Sequence, residues 1–315
     1  MKNVYIVDAV RTPVGRYNGG LSSVRPDDLG AHAIRELLGR TPDLDPARIE
    51  DVYFGNANGA GEENRNVGRM AALLAGLLTS VPGVTVNRLC ASGLEAVIQA
   101  ARAIALGDAS IAVAGGVGSM TRAPYVLPKS DKPFPAAHTD LYSTTLGWCM
   151  VNPRMEPQWT IPLGESAELI AEKHKITREQ QDEFALASHR KAAEAQEAGL
   201  FDAELAPVPV PQRKGEPVLF GADECVRADA SLEAMAKLKA VVPQGRRHGH
   251  PRQRLTSQRW GRRPAARRRR RPCRDRSRAA GPDLRDRGQR PRPALLRARP
   301  RGGRQPGTRQ GGQGI

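Results

Sequence analysis

The first 118 residues alternate short apolar runs with amphipathic stretches. Val4-Tyr5-Ile6-Val7, Val52-Tyr53-Phe54, Gly83 to Val86 and Ile111-Ala112-Val113-Ala114 are apolar without the in–out alternation of a half-wet strand. Runs of this length, closed by glycine, proline or polar residues, predict strands covered on both faces. The stretches between them carry a helical stripe. Leu29, Ile34, Leu37 and Leu38 follow Pro26, which suits a first helical turn, and Asp27 and Asp28 sit where the positive end of the helix dipole lies. Val67, Met70, Leu73 and Leu74 form a second stripe. Leu94, Val97, Ile98, Ala101 and Ile104 form a third, from near Ala91 to Gly107, a natural C′ residue. Strands alternating with helices around buried strands predict an α/β layered fold.

Beyond residue 118 the pattern changes. Residues 119 to about 165 are irregular, with many prolines, which is long for a plain loop and reads as a functional insertion. Two helices follow, from about Glu165 to Lys175 and from Thr177 to Gly199, the second opened by a capping box of Thr177 and Gln180. On it Phe184, Leu186, Ala187 and His189 read as packing or surface, with no partner evident for His189. Val208-Pro209-Val210 and Val218-Leu219-Phe220 suggest a short β pair, and Ser231 to Lys239 a last helix. Three parts are expected: 1–118, 119–241 and 242–315.

Charge changes the picture of the third part. The net charge is +16, but residues 1–240 hold 25 Lys and Arg against 30 acidic residues, whereas 241–315 hold 24 Arg, no Lys and 3 Asp. From Val242 onward Trp260 is the one aromatic, Arg267–Arg271 is a run of five arginines, and the apolar residues follow neither helical nor strand period. A disordered tail is expected. One reading is an arm that binds nucleic acid or another polyanion. The other is out-of-frame translation of a GC-rich gene. Reading one base later, the degenerate codons of 242–250 permit Phe-Arg-Lys-Asp-Gly-Gly-Thr-Val-Thr, and those from Arg252 permit Gly-Asn-Ala-Ser-x-x-Asn-Asp-Gly-Ala-Ala-Ala. The slip falls at about Val241. A low-arginine sequence thus lies one base away.

Candidate chemistry is sparse. Four cysteines, Cys90, Cys149, Cys225 and Cys273, show no CxxC pairing and no histidine at zinc spacing, so neither a disulfide framework nor a metal site is indicated. The N-terminus reads as a strand start rather than a signal peptide, and no uninterrupted apolar run reaches the roughly 18 residues of a membrane span. Cytoplasmic location and no membrane partner are expected. Cys90 lies between the strand ending at Val86 and the third helix. A thiol at a helix start meets unpaired N–H groups and the positive dipole end, which favour the nucleophilic thiolate. Cysteine is also among the most buried residue types, so a structural filler is the alternative.

Several motifs in order along the chain resemble the thiolase family (acetyl-CoA acyltransferases). They are Val-Asp-Ala-Val-Arg-Thr-Pro at 7–13, Gly-Glu-Glu-Asn-Arg-Asn-Val at 61–67 and Asn-Arg-Leu-Cys-Ala-Ser-Gly at 87–93. Ala-Gly-Gly-Val at 114–117, Ser-Met at 119–120, Thr-Thr-Leu-Gly-Trp at 144–148, Glu-Gln-Gln-Asp-Glu-Phe-Ala at 179–185 and Leu-Glu-Ala-Met-Ala-Lys-Leu-Lys at 232–239 add to it. The resemblance runs from Val4 to about Val241, its 61–93 stretch is most similar to the 3-oxoadipyl-CoA thiolase branch, and the shifted line from Arg252 is itself thiolase-like. It implies an αβαβα layered fold, of which 1–118 would be the N-terminal half and 119–241 a loop domain covering CoA.

The resemblance also implies roles. Cys90 would be the acylated nucleophile in thiolysis of a 3-oxoacyl-CoA or the reverse condensation. Arg227 would lie near the CoA phosphates, and Leu163 stands where the family usually has a methionine beside the pantetheine. Coenzyme A would be a cosubstrate, with no permanently bound cofactor, and an intact member would be a homo-oligomer. Family members carry a Gly-His-Pro histidine, a Cys-x-Gly-Gly-Gly cysteine and an Asn-Glu-Ala-Phe segment in their C-terminal half. Gly249-His250-Pro251 lies too early and lacks the Gly-x-Ser-Gly that should follow, and Cys273 has no glycine context. Gly118 and Cys149 depart from the usual Glu and Arg. Acyl transfer by these 315 residues alone is therefore expected to be lost.

Overall fold

The computed structural model describes residues 2–240 and the strand Ala294–Ala298. These residues divide into two units. One takes 2–123, 202–223 and the late strand; the other takes 124–201 and 224–240. The expected parts 1–118 and 119–241 differ from this in one respect: the segment 202–223 returns to the first unit. The tail expected to be disordered lies outside the described residues, apart from Ala294–Ala298.

The first unit is built on β1 (Val4–Ala9), α1 (Pro26–Gly39), β2 (Asp51–Gly55), α2 (Val67–Leu74), β3 (Gly83–Val86), α3 (Ser92–Leu106) and β4 (Ile111–Gly116). A hairpin of β7 (Val208–Val210) and β8 (Val218–Phe220) belongs to it, and the late strand is β9. Its sheet has the order β1-β9-β4-β2-β3; β2 is parallel to both β3 and β4, and β9 is antiparallel to both β1 and β4. Side chains alternate across the sheet. Val52, Phe54, Ile111 and Val113 meet Leu29, Ile34 and Leu37 of α1 and Val67, Ala71 and Ala72 of α2 in one buried cluster. Tyr53, Ala112 and Ala114 point the other way, to Ala100 and Ile104 of α3. The result is three layers, helix, sheet and helix, as expected for half of the αβαβα sandwich. All of β2 and β4 that is apolar is used, which is why those strands are apolar throughout.

Local signals end the elements where the pattern places them. Gly107 takes the left-handed conformation at φ 99° and its N–H donates to the Ala103 carbonyl, closing α3. Leu89–Leu106 is long and apolar enough by composition to cross a membrane, but it forms α3 and the turn before it, with Ala96, Ala100 and Ile104 buried. The return of 202–223 is held by Arg11. Its backbone pairs with Glu204 and Ala206, and its guanidinium bridges Glu204 at 2.6 Å and Asp223 at 2.7 Å.

In the second unit β5 (Tyr125–Val126) pairs with β6 (Tyr142–Ser143) across the irregular stretch. Helices α4 (Leu163–His174), α5 (Arg178–Glu197) and α6 (Leu232–Ala236) follow. Both bonds of the Thr177–Gln180 capping box are present. Arg178 ties α5 to the end of α6, donating to the carbonyls of Met235 at 2.7 Å and Leu238 at 3.3 Å. The buried cluster here is small: Ala185, Leu186 and Met235, with Ala230 against it.

Candidate active site

Cys90 sits on the turn between β3 and α3, two residues ahead of the first helical residue. It is exposed, which removes the buried-filler reading. The turn is held from both sides. Leu89 adopts φ 51°, a left-handed conformation that costs a non-glycine residue roughly 1–2 kcal/mol. Its N–H donates to Asn87 Oδ1 at 2.9 Å, and its carbonyl accepts from Ser92 Oγ at 2.6 Å. The same Ser92 hydroxyl accepts from the Arg88 N–H at 2.8 Å. Arg88 in turn bridges Glu95 of α3 at 2.9 Å. Strain of this kind persists only where the surroundings impose it, and it turns the residue that follows outward.

The end of β2 sets where α3 starts. At Gly55 an added Cβ would lie 2.3 Å from the Ser92 carbonyl carbon and 2.4 Å from the Gly93 nitrogen. The strand therefore touches the helix backbone, and only glycine permits it. The motif at 61–67 supports the neighbouring strand. Asn66 caps α2, accepting from the Arg69 N–H, and its amide donates to the Gly83 carbonyl of β3 at 2.9 Å. Thr85 Oγ1 donates to Asn66 Oδ1 and accepts from the Gly68 N–H.

Two adjacent carboxyls in that loop meet opposite fates. Glu62 takes both Nε and Nη2 of Arg122 at 2.5 Å, and Arg25 at 3.3 Å. The Arg122 hydrogen bonds hold its carboxyl below the usual range. Glu63 is buried, and its Oε2 has no hydrogen-bond partner; burial pushes its carboxyl up. Nothing local in Glu-Glu distinguishes the two, because the distinction comes from Arg122, sixty residues on.

Leu163 and Arg227, the residues implied for CoA, both belong to the second unit. Leu163 opens α4 after Pro162 and is 68 % exposed. Arg227 lies half-buried in the loop before α6. Its backbone N–H donates to His189 Nδ1 at 3.2 Å, which corrects the expectation that His189 has no partner. Burial first, and the Arg227 charge next, lower the His189 pKa, so the imidazole is neutral with its proton on Nε2. A backbone donor leaves no mark in sequence, which is why this contact was not legible. Cys90 belongs to the first unit.

A layered α/β unit that presents an exposed thiol on a strained strand-to-helix turn defines a class of protein suited to covalent chemistry at sulfur. The thiolase N-terminal domain family matches residues 4–245, and the chain belongs to the thiolase family. It is 52 % identical over 247 residues to a beta-ketoadipyl-CoA thiolase of Acinetobacter baylyi, covering 78 % of this chain and 61 % of that protein. It is 50 % identical over 241 residues to the 3-oxoadipyl-CoA/3-oxo-5,6-dehydrosuberyl-CoA thiolase of Escherichia coli K12, covering 76 % and 60 %. The crystal structure of the Bacillus anthracis acetyl-CoA acetyltransferase superposes with a TM-score of 0.68 at 37 % identity, covering 76 % of this chain and 59 % of that one. The chain thus spans about 60 % of the length of the relatives it matches.

Proposed function

We propose that this chain carries the nucleophile-bearing part of a 3-oxoacyl-CoA thiolase, with Cys90 as the residue that is acylated. The exposed Cys90 on its strained turn is the observation that carries this reading. In the thiolytic direction the Cys90 thiolate attacks the C3 carbonyl carbon, and the C2–C3 bond breaks. The departing C2 carbanion takes a proton and leaves as acetyl-CoA. The acyl group remains on sulfur as a thioester until the thiol of CoA displaces it, giving acyl-CoA and restoring the thiolate. The relatives named for beta-ketoadipyl-CoA favour a substrate with a terminal carboxylate, from which the products would be succinyl-CoA and acetyl-CoA. Arg227 offers a fixed positive charge for the phosphates of CoA, and exposed Leu163 an apolar contact for its pantetheine arm. The proton donor and the base for the second step are not among the motifs of the 315 residues, so the chain on its own is proposed to be inactive in turnover.

The test has two readouts. Incubation with acetyl-CoA and peptide mapping should find the acetyl adduct on Cys90 and none on Cys149 or Cys225, and Cys90→Ala should abolish it. Thiolysis of acetoacetyl-CoA or 3-oxoadipyl-CoA should run at least about a thousandfold below an intact thiolase, the usual scale when members of a catalytic unit are removed. Adducts spread over all three cysteines would sink the nucleophile assignment. Turnover at the rate of an intact enzyme would sink the claim of inactivity.

A further inference from the structure

The sheet of the first unit is continuous only because something lies between β1 and β4. In this chain that place is taken by Ala294–Ala298, joined to Ala240 by the segment 241–293. The demands of the place can be read from its neighbours. The occupant runs antiparallel to both, so every residue of it pairs on two sides. Positions opposite Ala112 and Ala114 share the face of α3, where Ala100 sits and the cluster is made mainly of small residues. Positions opposite Ile111 and Val113 share the face of the main core, where Val113 is fully buried and Ile111 is 1 % exposed. The place therefore calls for an uncharged strand of small and branched apolar residues, about as long as the six residues of β1 and of β4.

The strand present does not meet that demand. Its register sets Arg297 opposite both Tyr5 and Ile111, on the core face of an interior strand. A charged residue is an expensive choice at such a position. The pairing with β1 is also broken by an irregularity between Ile6 and Asp8. By contrast, the bases behind residues 260–267, read one position later, permit Gly-Ala-Ala-Ala-Leu-Leu-Leu-Val: Trp260 followed by Gly261 forces the glycine, and Pro264, Ala265 and Ala266 each permit leucine. That run is uncharged, graded from small to branched, and begins about 20 residues after Ala240.

We propose that the slot between β1 and β4 is a strand-acceptor site, and that its matching occupant is the uncharged apolar strand encoded one base away at codons 260–267, for which Ala294–Ala298 substitutes. Recognition is β-augmentation on two edges at once: main-chain hydrogen bonds give the affinity and alternate side chains the fit. The inference does not rest on acyl transfer. Its competitor is intramolecular, tethered by the long 241–293 segment, and so acts at a modest effective concentration.

The experiment uses the full 315-residue chain and a fluorescein-labelled peptide of Gly-Ala-Ala-Ala-Leu-Leu-Leu-Val flanked by two lysines at each end. A control peptide has the middle leucine replaced by proline, which cannot pair on both sides. Anisotropy should show saturable binding of the first peptide and not of the second. Hydrogen exchange should slow at the amides of 4–9 and 111–116 when the peptide is bound, with the other strands unchanged. Leu295→Pro, which weakens the resident strand, should tighten binding by about tenfold as the tethered competitor is lost. No binding, equal binding of the proline peptide, or exchange in 4–9 and 111–116 that does not respond would each overturn the proposal. The exchange readout on the unaltered chain decides the matter even where Leu295→Pro fails to fold.

Discussion

Replacing Gly55 by alanine tests how the turn that carries Cys90 is placed. A Cβ there would lie 2.3 Å from the Ser92 carbonyl carbon, 2.4 Å from the Gly93 nitrogen and 2.5 Å from the Ser92 oxygen. Ordinary contact begins at 3.4 Å, so β2 and the start of α3 must separate by about 1.1 Å. Both partners are backbone, and no side chain can swing away to absorb the clash. Overpacking of this kind costs about 1–3 kcal/mol, and rigid partners place this case near the upper end. With a urea dependence of about 2 kcal/mol per molar, the unfolding midpoint should fall by about 1–1.5 M. The control is Gly39→Ala at the end of α1, where nothing lies within 4 Å of the added carbon. Alanine is the better helix former by up to about 1 kcal/mol, so that midpoint should stay or rise. A second readout is the rate of iodoacetamide labelling at Cys90 with Cys149 and Cys225 replaced by serine; it should change in Gly55→Ala and not in Gly39→Ala. The reasoning fails if Gly55→Ala unfolds at the parent midpoint, or if both variants fall equally.

Three further outcomes follow from the site and its supports. Ser92→Ala removes the bond to the Leu89 carbonyl and the acceptor for the Arg88 N–H; it should cost about 1–3 kcal/mol in urea unfolding, with partial rescue by threonine. Glu62 and Glu63 should respond to pH with opposite signs. The folded pKa of Glu62 is depressed, so its contribution is present above the unfolded value of 4.5 and lost as pH falls through the folded one; that of Glu63 is raised, so its penalty is absent below 4.5 and grows as pH rises through the folded value. Urea midpoints should therefore fall for Glu62→Gln at pH 7 but not at pH 3, and rise for Glu63→Gln at pH 8 but not at pH 4. His32 is buried with Nε2 unpartnered, and burial lowers its pKa; the unfolded chain takes up its proton first, so stability should drop as pH falls below 6.5, and His32→Gln should flatten that part of the pH profile.

How much of this was legible depends on whether the cause of each feature is local. The strands Val4–Ala9, Asp51–Gly55, Gly83–Val86 and Ile111–Gly116 announce themselves, because a strand covered on both faces must be apolar at every position. Helix ends such as Gly107 and the Thr177–Gln180 box are equally local. The exposure of Cys90 was not legible, since it depends on Leu89 entering the left-handed region under the grip of Ser92 and Asn87. Nor was the return of 202–223, which follows from one arginine reaching Glu204 and Asp223 about two hundred residues away. The late strand is the sharpest case. Ala-Leu-Leu-Arg-Ala has no strand period worth reading, and its neighbours are arginine-rich. It pairs because β1 and β4 offer two open edges that need a partner, and unpaired buried backbone is costlier than an ill-suited side chain. The element is thus specified by the place rather than by its own residues, and that is the physical reason a better-suited strand should displace it.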